Sequence, residues 1–510
     1  MEVTRLYKQR WVALGFICIS LLVISLDNTV LNLALPSISN ELGSTASQLQ
    51  WMIDSYVLVI SGLLMTMGYL GDRVGRKLLL QIGLAIFALF SFGAAISTSS
   101  NMLILMRGLM GIGAAIIFPA SLSSLTAAFR DNKERAQAVA AWAATFALGM
   151  GIGPLIGGWL LNNFHWSSVF YINIPIVIIG LIGGQIYIQE SKADKPRPID
   201  IFGAVLSIGA LFALVYGLIQ AGRDGWTAGN VLASFAIALV LIVGFAVGER
   251  RSKNPMLPLE FFKNPSFSGA NIALTLVAFA MMGSFFFISQ FLQSVQGYSP
   301  LSSGVRLLPM AAASFVSAAI SAKIAARFGI KLTVASGIFI ASAGFFYFAA
   351  IAAVNTSYST LAAAMVVTAI GMGLTMSPAT NSILGSIPVS KSGIGSAMNS
   401  TTRQVGGALG IAILGTVLNS VYLSTVNNTN WPAALPDPAL NGIRSSIQGA
   451  HVVAQTIPNP SLAKFITDTA NQAFVTGSVR ALVVSGVIMM VAGVVTLAIL
   501  PGKIQPPEES

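Results

Sequence analysis

The sequence predicts an all-α polytopic membrane protein built from two six-helix bundles and two additional central helices. Three observations predict this fold class. Of the 510 residues, 55% are hydrophobic and only 9% are charged, whereas a soluble domain carries about 25% charged residues. Many apolar stretches reach about 20 residues, the length that crosses a bilayer as a helix. Short motifs in the first part of the chain also return later at offsets of 254 and 260 residues.

The composition excludes several other classes of protein. A soluble enzyme, a disordered protein and a nucleic-acid-binding protein all fit poorly, because too few polar residues are present to cover a surface in water. The single Cys18 excludes a disulfide scaffold. His165 and His451 are too few for a histidine-based metal centre. We interpret these three residues as incidental and expect neither a metal nor a cofactor.

Fourteen apolar stretches are long enough to be membrane spans. The first follows basic residues, as a signal peptide would, but it is too long for such a segment and is interpreted as a retained helix. The predicted spans are 12–35, 50–70, 78–97, 102–126, 136–160, 167–188, 201–221, 230–248, 268–291, 304–326, 332–351, 358–381, 400–421 and 478–500.

The distribution of basic residues predicts the orientation in the membrane. An even number of spans places both termini on one side. If that side is the cytoplasm, 22 of the 28 Lys and Arg residues face it, 5 face outward and Arg107 lies in the membrane. If Arg403 also lies within span 13, the cytoplasmic count becomes 21. By the positive-inside rule both termini are cytoplasmic, in a bacterial inner membrane. We therefore attribute the net charge of +11 to the orientation of the protein in the membrane and not to the binding of an anionic partner.

An internal repeat divides the chain. The loop after span 2 reads GDRVGRK (71–77) and the loop after span 10 reads AARFGIK (325–331), at an offset of 254. Span 4 contains GIG at 111–113 and span 12 contains GMG at 371–373, at an offset of 260. Paired halves of this kind are typical of alternating-access transporters, whose substrate site lies between the halves.

The repeat predicts three units and one long external loop. The loop at 421–477 is interpreted as an external cap or hairpin, with a gating lid as the alternative. The units are an N-terminal six-helix bundle (1–195), two inserted helices (196–250) and a C-terminal six-helix bundle (251–510).

Five stretches resemble the fourteen-span drug:proton antiporter family of the major facilitator superfamily, which includes quaternary-ammonium, multidrug and tetracycline exporters. The resemblance extends from residue 11 to about residue 420. It departs from the family pattern at Met110 and at Trp166-Ser167-Ser168. The matching stretches are LDNTVLNLALP (26–36), GYLGDRVGRK (68–77), RGLMGIGAA (107–115), GMGIGPLIGG (149–158) and GYSP (297–300).

Three charged residues inside the spans are the candidates for proton coupling. Asp27 lies about nine residues inside the predicted external end of span 1, and a buried carboxylate can load a proton in one conformation and release it in another. The alternative is a structural carboxylate bonded to Asn28, Asn32 or a neighbouring helix. Asp54 lies about one turn inside span 2, where it could relay protons or attract cations to the mouth of the transporter. The alternative is a helix N-terminal carboxylate that follows the external loop. Arg107 costs about 2.5–3.5 kcal/mol at a helix centre. The resemblance implies that it transfers protons or tunes a carboxylate; otherwise it tethers backbone carbonyls of span 1 or 2.

Two glycine-containing motifs are candidates for conformational change. Gly149, Gly153 and Gly157 share one face of span 5, followed by Gly158, and Pro154 bends the helix. Such a face allows close helix packing, and the resemblance implies that it seals the leak path between the halves. The loop at 68–77 is interpreted as a cytoplasmic latch that stabilises the outward-open state, with plain topogenic charge as the alternative. Its candidate residues are Gly68, Gly71, Asp72, Arg73, Gly75 and Arg76.

Aromatic and amide stripes are candidates for the substrate wall, because aromatic rings stack on bulky apolar compounds and bind cations. Simple helix packing is the alternative. The candidates are Trp142 and Phe146 on span 5 and Met282, Phe286, Gln290 and Gln293 on span 9, together with Asp27 and Asp54.

These features predict a secondary active transporter rather than an enzyme. We expect a monomer that exports bulky hydrophobic, cationic drugs or antiseptics in exchange for protons and is driven by the proton gradient, with the lipid bilayer and no nucleic acid as a partner. A dedicated transporter of one metabolite, antibiotic or lipid-like compound on the same fold is the alternative. No acidic residue occurs between Glu260 and Asp437, so proton chemistry is expected in the N-terminal half, and monovalent or neutral substrates are favoured over dications.

Overall fold

The structure is a computed structural model that describes residues 9–129, 131–192, 200–252, 259–387, 392–432 and 435–502. Within these ranges the chain forms helices and no strand. A 3₁₀ turn (Leu259–Lys263) precedes α10, and a π-helical turn (Phe291–Val295) follows it. The α-helices are α1 (Arg10–Leu42), α2 (Ala46–Val74), α3 (Arg76–Ala95), α4 (Ser100–Ala128), α5 (Asn132–Asn163), α6 (Ser168–Tyr171), α7 (Asn173–Tyr187), α8 (Ile201–Asp224), α9 (Gly229–Arg251), α10 (Pro265–Gln290), α11 (Pro300–Phe328), α12 (Ile330–Ile351), α13 (Tyr358–Gly385), α14 (Ser392–Asn427), α15 (Asp437–Ser445), α16 (Ile447–Thr456) and α17 (Pro460–Ile499).

Thirteen helical segments in the described part of the chain are long and apolar enough to cross a membrane. The predicted all-α polytopic fold class is confirmed, whereas the count of fourteen spans is not reproduced. The segment outside this count is α2, the 29-residue helix that contains predicted span 2.

Several helices continue beyond the apolar stretches that predicted them. α1 runs through Pro36 to Leu42, so Asp27 is fifteen residues (27 to 42) and about 22 Å from the helix end. Asp27 therefore lies at mid-helix, while the predicted distance of nine residues refers to the end of span 1 and stays a prediction. α14 ends at Asn427 and α17 begins at Pro460, so the helix ends occupy much of the predicted loop 421–477. Apolar stretches mark the bilayer core, whereas backbone hydrogen bonding carries helices past it.

The two halves repeat the same helix packing. α1 contacts α5 and α7 as α10 contacts α14 and α17, and α4 contacts α2 and α3 as α13 contacts α11 and α12. The loop repeat is also visible in backbone geometry. Gly75 and Gly329 have φ angles of 135° and 86°, a region that favours glycine, and their N–H groups donate to Gly71 O and Ala325 O. Both pairs are 254 residues apart.

The glycine pairs in spans 4 and 12 pack on corresponding helices of the two halves, but the first and second glycine of each pair exchange partners. A Cβ on Gly111 would meet α2 and one on Gly113 would meet α3, whereas one on Gly371 would meet α12 and one on Gly373 would meet α11. The offset of 260 therefore aligns the motifs but not the individual glycines.

The contacts between the halves are made at the end where α1 finishes, which is the predicted external end. Helix pairs α1–α10, α2–α14 and α5–α11 cross the interface. Gln50 Nε2 donates to Ile411 O at 3.2 Å, and Ser289 Oγ donates to Asn32 O at 2.5 Å. A Cβ on Gly158 would lie 2.7 Å from Leu301 Cα. The two halves are thus in backbone contact at this end.

Helix α8 bridges the halves on the outside of the bundle, because it contacts both α2 and α14. The rings of Trp51 and Phe212 are 5.2 Å apart, and Thr416 Oγ1 donates to Leu218 O at 2.8 Å. α9 packs on α8. The division into units at 1–195, 196–250 and 251–510 stays a prediction.

The connection between α14 and α17 contains a helical hairpin, α15–α16. It contacts both halves: Ser446 Oγ lies 3.4 Å from Ser39 Oγ of α1, and Gln448 Nε2 donates to Gln290 Oε1 at 3.1 Å. Tyr422 Oη anchors it by donating to Ile443 O at 2.8 Å. The hairpin therefore covers the interface at the predicted external end.

Candidate transport site

A buried ion pair joins the middle of α1 to α4. Arg107 Nη1 donates to Asp27 Oδ2 at 2.5 Å, and the two residues are 1% and 3% exposed. Arg107 Nε also donates to Met52 O of α2 at 3.1 Å. Its Nη1 lies 4.0 Å from Met110 Sδ, so the thioether at this atypical position is a weak acceptor. The structure brings together two of the three predicted proton-coupling residues, about 26 Å from the start and about 22 Å from the end of α1.

Three further residues complete this cluster, and sequence reasoning missed all of them. The Tyr56 ring lies 4.1 Å below the Arg107 guanidinium carbon, a cation–π distance. Asn173, the first residue of α7, donates through Nδ2 to Asp27 Oδ1 at 3.4 Å and to Ser91 Oγ at 3.0 Å. Ser91 donates in turn to Phe170 O. An asparagine inside a predicted apolar span was the available signal. The cluster ties α1 to α2, α3, α4 and α7.

Asp54 lies apart from this cluster. It is fully buried on α2, and neither of its carboxylate oxygens has a hydrogen-bond partner among the described residues. It is one helical turn after Gln50, so both side chains share a face of α2, and Gln50 contacts α14 of the other half. The two candidate carboxylates thus have different settings, one in the core of the N-terminal half and one toward the interface.

The glycine stripe of α5 packs on the part of α1 that contains Asp27. A Cβ on Gly149 would overlap Ser25, one on Gly153 would overlap Thr29, and one on Gly157 would lie 2.8 Å from Val30 Cγ1.

The end of the same motif reaches the other half. Gly158 abuts Leu301, and Pro154 O lies against Gly304 of α11. The predicted packing face is therefore used twice, once within the N-terminal half and once between the halves.

The loop at 68–77 is held by a residue that sequence reasoning did not single out. The Glu190 carboxylate, after the end of α7, accepts from Lys77 N at 3.1 Å and from Leu78 N at 3.0 Å. A Cβ on Gly75 would lie 2.8 Å from this carboxylate. A carboxylate at a helix N-terminus also complements the helix dipole, so Glu190 caps α3.

The other predicted loop residues have simpler settings. A Cβ on Gly68 would meet Pro119 at 3.6 Å and one on Gly71 would meet Leu79 at 3.3 Å. Arg73 is exposed, and Arg76 N donates to Ser191 O at 3.0 Å. The Asp72 side chain lies outside the described part of the structure.

The predicted substrate-lining residues fall into two groups. On α5, Trp142 and Phe146 both contact the Phe118 ring, at 5.2 and 5.8 Å, and Trp142 Nε1 donates to Ser121 Oγ.

The stripe on span 9 is engaged in packing and closure contacts. Met282 packs near Gly407 of α14, and Phe286 is buried. Gln290 bonds to the hairpin, while Gln293 Nε2 donates to Leu33 O of α1 at 3.0 Å.

The residues interpreted as incidental have local partners. His165 Nε2 lies 2.6 Å from Glu41 Oε1. His451 Nε2 lies 2.8 Å from Asn471 Oδ1, and burial lowers the pKa of His451 although this contact opposes the shift. Cys18 is a free, half-buried thiol. The described residues contain no group of three His, Cys, Asp or Glu side chains placed to hold a metal ion.

Comparisons with known proteins agree with the predicted fold class and family. The Major Facilitator Superfamily matches residues 17–411. The multidrug efflux pump LfrA of Mycolicibacterium smegmatis is 35% identical over 492 residues, with 96% of each chain covered. The tetracenomycin C resistance and export protein of Streptomyces glaucescens is 30% identical, covering 98% of this chain and 93% of that protein. The methyl viologen resistance protein SmvA of Salmonella typhimurium is 32% identical, with 95% and 97% covered.

A solved structure confirms the fold. A bacterial homologue of the human lysosomal transporter Spinster, inward-facing and unoccupied, superposes with a TM-score of 0.63 at 18% identity, covering 96% of this chain and 98% of that one. The chain therefore belongs to the Major Facilitator Superfamily of membrane transporters, and within it to the drug:proton antiporter family that its motifs predicted.

Proposed function

We propose that this protein exports bulky hydrophobic, cationic drugs or antiseptics in exchange for protons by alternating access. The buried Asp27–Arg107 pair is the observation that carries the proposal. An ion pair in a low-dielectric site is stable only while both partners are charged. A proton arriving from outside neutralises Asp27, releases Arg107 and favours substrate release. The return to the inward-facing state delivers the proton to the cytoplasm.

The interface between the halves supports the order of these steps. Its contacts close the predicted external end, which is the arrangement that loads substrate from the cytoplasm. Trp142 and Phe146 supply aromatic faces for an apolar cation in that state. Gln290 and Gln293, which now bond across the closed end, become free to contact substrate when that end opens.

The charge distribution supports a limit on substrate charge. The C-terminal half has no acidic residue between Glu260 and Asp437, so a dication finds few counter-charges there. We therefore expect transport of the monocation ethidium to exceed that of the dication methyl viologen; equal transport would contradict this limit. The basic residues, 22 of 28 on one side, favour cytoplasmic termini. We further propose a bacterial inner membrane as the location, the proton gradient as the driving force and a monomer as the transporting unit.

The test uses purified protein in proteoliposomes with an imposed pH gradient. Asp27→Asn keeps the size of the side chain but cannot be ionised, so pH-driven ethidium transport is expected to be abolished while the protein stays folded. Asp437→Asn is the matched control, because Asp437 is exposed at the start of α15, and it should transport like the parent. Undiminished proton-driven transport by folded Asp27→Asn would overturn the proposal.

A dedicated exporter of a single antibiotic is the second candidate. It is favoured by relatives named for single compounds, the tetracenomycin C protein and the methylenomycin A resistance protein of Streptomyces coelicolor, which is 34% identical over 396 residues. A resistance panel in an efflux-deficient host, with and without an uncoupler, separates the two. A broad, uncoupler-sensitive spectrum supports multidrug export, and resistance to one compound supports the dedicated exporter.

A further inference from the structure

A cavity outside the transport site lies between the start of α8 and the end of α9. Its volume is about 270 Å³, and its lining residues belong to these two helices or directly adjoin them. Phe202, Leu206 and Phe245 form its apolar wall, while Gly203 and Gly248 leave space between the helices. By the predicted orientation, this end of the helix pair is on the cytoplasmic side.

Two carboxylates meet beside this cavity. Asp200 caps α8, because its Oδ1 accepts from Gly203 N at 2.7 Å. A Cβ on Gly203 would lie 2.8 Å from Asp200 Oδ2 and 3.0 Å from Glu249 Oε1, so these two oxygens are within about 6 Å of each other. Glu249 is only 4% exposed. Two carboxylates at this separation favour a cation with several N–H donors, because such charge-assisted hydrogen bonds are strong.

The cavity also has a basic group in its wall. Arg251, the last residue of α9, lines the cavity and is exposed. A guanidinium group matches the geometry of a phosphate. The site therefore combines carboxylates with a phosphate-binding side chain, and a ligand that carries an ammonium group next to a phosphate is complementary to both.

The surface around the cavity is apolar. Ile201, Phe202 and Val205 on α8 and Val247 on α9 are exposed. Because α8 and α9 are both long and apolar enough to cross a membrane, these side chains are expected to contact acyl chains. Pockets of this kind, between membrane helices on the cytoplasmic side, bind lipid headgroups. A polar cavity that continues into an apolar surface fits a whole phospholipid and not a free headgroup.

We propose that this cavity binds the headgroup of a phosphatidylethanolamine molecule from the cytoplasmic leaflet. The ammonium group donates to the carboxylates of Asp200 and Glu249, and the phosphate accepts from Arg251. The site is separate from the Asp27–Arg107 pair, so the proposal depends neither on the substrate of the transporter nor on its coupling ion.

The experiment measures lipid binding to the purified full-length protein in detergent. Native mass spectrometry gives the dissociation constant of the first bound lipid for phosphatidylethanolamine, phosphatidylcholine and phosphatidylglycerol, all with dioleoyl chains. Phosphatidylethanolamine should bind about tenfold more tightly than phosphatidylcholine, whose quaternary ammonium group has no N–H to donate to a carboxylate. Equal binding of these two lipids, or tightest binding of phosphatidylglycerol, would overturn the proposal.

Two substitutions separate the two parts of the headgroup. Asp200→Asn keeps a residue that caps helices equally well but removes the charge, so the preference for phosphatidylethanolamine over phosphatidylcholine should be lost. Arg251→Gln should weaken the binding of both lipids about tenfold, because both contain the phosphate, and should leave the preference between them unchanged.

The matched control is Arg250→Gln. Arg250 is exposed on the same turn of α9, but it is not among the residues that line the cavity, so this variant should bind lipids like the parent. Equal losses in Arg250→Gln and Arg251→Gln would overturn the proposal, because general surface charge would then explain them. An unchanged preference in folded Asp200→Asn would also overturn it. If that variant does not fold, Glu249→Gln decides by the same criterion.

Discussion

The two halves of the molecule share their helix packing but not their charges. Both halves pair equivalent helices, and both use a glycine with positive φ at the loop after the second helix of each half, Gly75 and Gly329. The N-terminal half buries Asp27, Arg107 and Asp54. The C-terminal half buries neutral polar groups in the corresponding helices, among them Thr375 and Ser342, which bond to backbone carbonyls.

This difference separates what the fold needs from what transport needs. Close helix packing requires small residues at crossing points, so it can be duplicated without duplicating any charge. A proton site requires one carboxylate with a switchable partner, and a second buried ion pair would add desolvation cost without adding function. Among the described residues, the C-terminal half buries no acidic side chain, although Arg403 lies half-buried within α14.

The strongest test of this comparison removes one buried polar group from each half. Arg107→Met leaves the Asp27 carboxylate buried without its partner, which should lower the free energy of unfolding by about 3–5 kcal/mol. Thr375→Val removes a hydrogen bond to Gly371 O and should cost about 1 kcal/mol. Thermal unfolding of the detergent-purified proteins measures both. Adding Asp27→Asn to Arg107→Met should restore stability but not coupling; equal losses in the two halves would contradict the comparison.

The next test concerns the place where the halves touch. A Cβ at Gly158 would lie 2.7 Å from the Leu301 backbone, whereas one at Gly151 would meet nothing within 4 Å. Gly158→Ala should disfavour the closed external end by about 1–3 kcal/mol, roughly a 5- to 150-fold shift in population. Oxidative cross-linking of a Ser39→Cys/Ser446→Cys pair reports closure. Gly151→Ala should cross-link like the parent, and the same result for Gly158→Ala would show that this contact is not part of the seal.

The residues that sequence reasoning found and missed differ in a physical way. Asp27 and Arg107 stand out because a charge in an apolar stretch is costly, and the glycines of α5 because their spacing places them on one helical face. Asn173 and Glu190 do not stand out, since an amide near the start of a span and an acid just beyond its end are common. Asn173 contacts Asp27, and Glu190 contacts the start of α3. Both contacts join helices that are distant in the chain, and local periodicity does not encode how such helices cross.

The loops at 71–77 and 325–331, on the predicted cytoplasmic side, offer a smaller test of the same comparison. Glu190 bonds two N–H groups at the start of α3, whereas the equivalent start of α12 receives a backbone carbonyl, Gly502 O, at Ile330 N. Glu190→Ala should lower the free energy of unfolding by about 0.5–2 kcal/mol, as loss of a helix cap does. Gly502→Ala keeps the carbonyl and has open space for its Cβ, so it should be neutral. Differential scanning fluorimetry distinguishes the two variants. An unchanged melting temperature in Glu190→Ala would show that this carboxylate does not stabilise the start of α3.

The smallest effect concerns the hairpin over the external end. Burial lowers the pKa of His451 below its ordinary value of 6.5, so the folded hairpin holds the neutral ring and binds fewer protons than the unfolded segment. Its stability is therefore present above about pH 6.5 and declines as the pH falls below that value. Hydrogen exchange of the α16 amides, corrected for intrinsic rates, should show protection decreasing from pH 7.5 to about pH 5. His451→Gln should keep its protection over that range, and parallel curves for the two proteins would contradict the assignment. Because the predicted external side is the proton-rich one, acid there would loosen the hairpin that covers the interface between the halves.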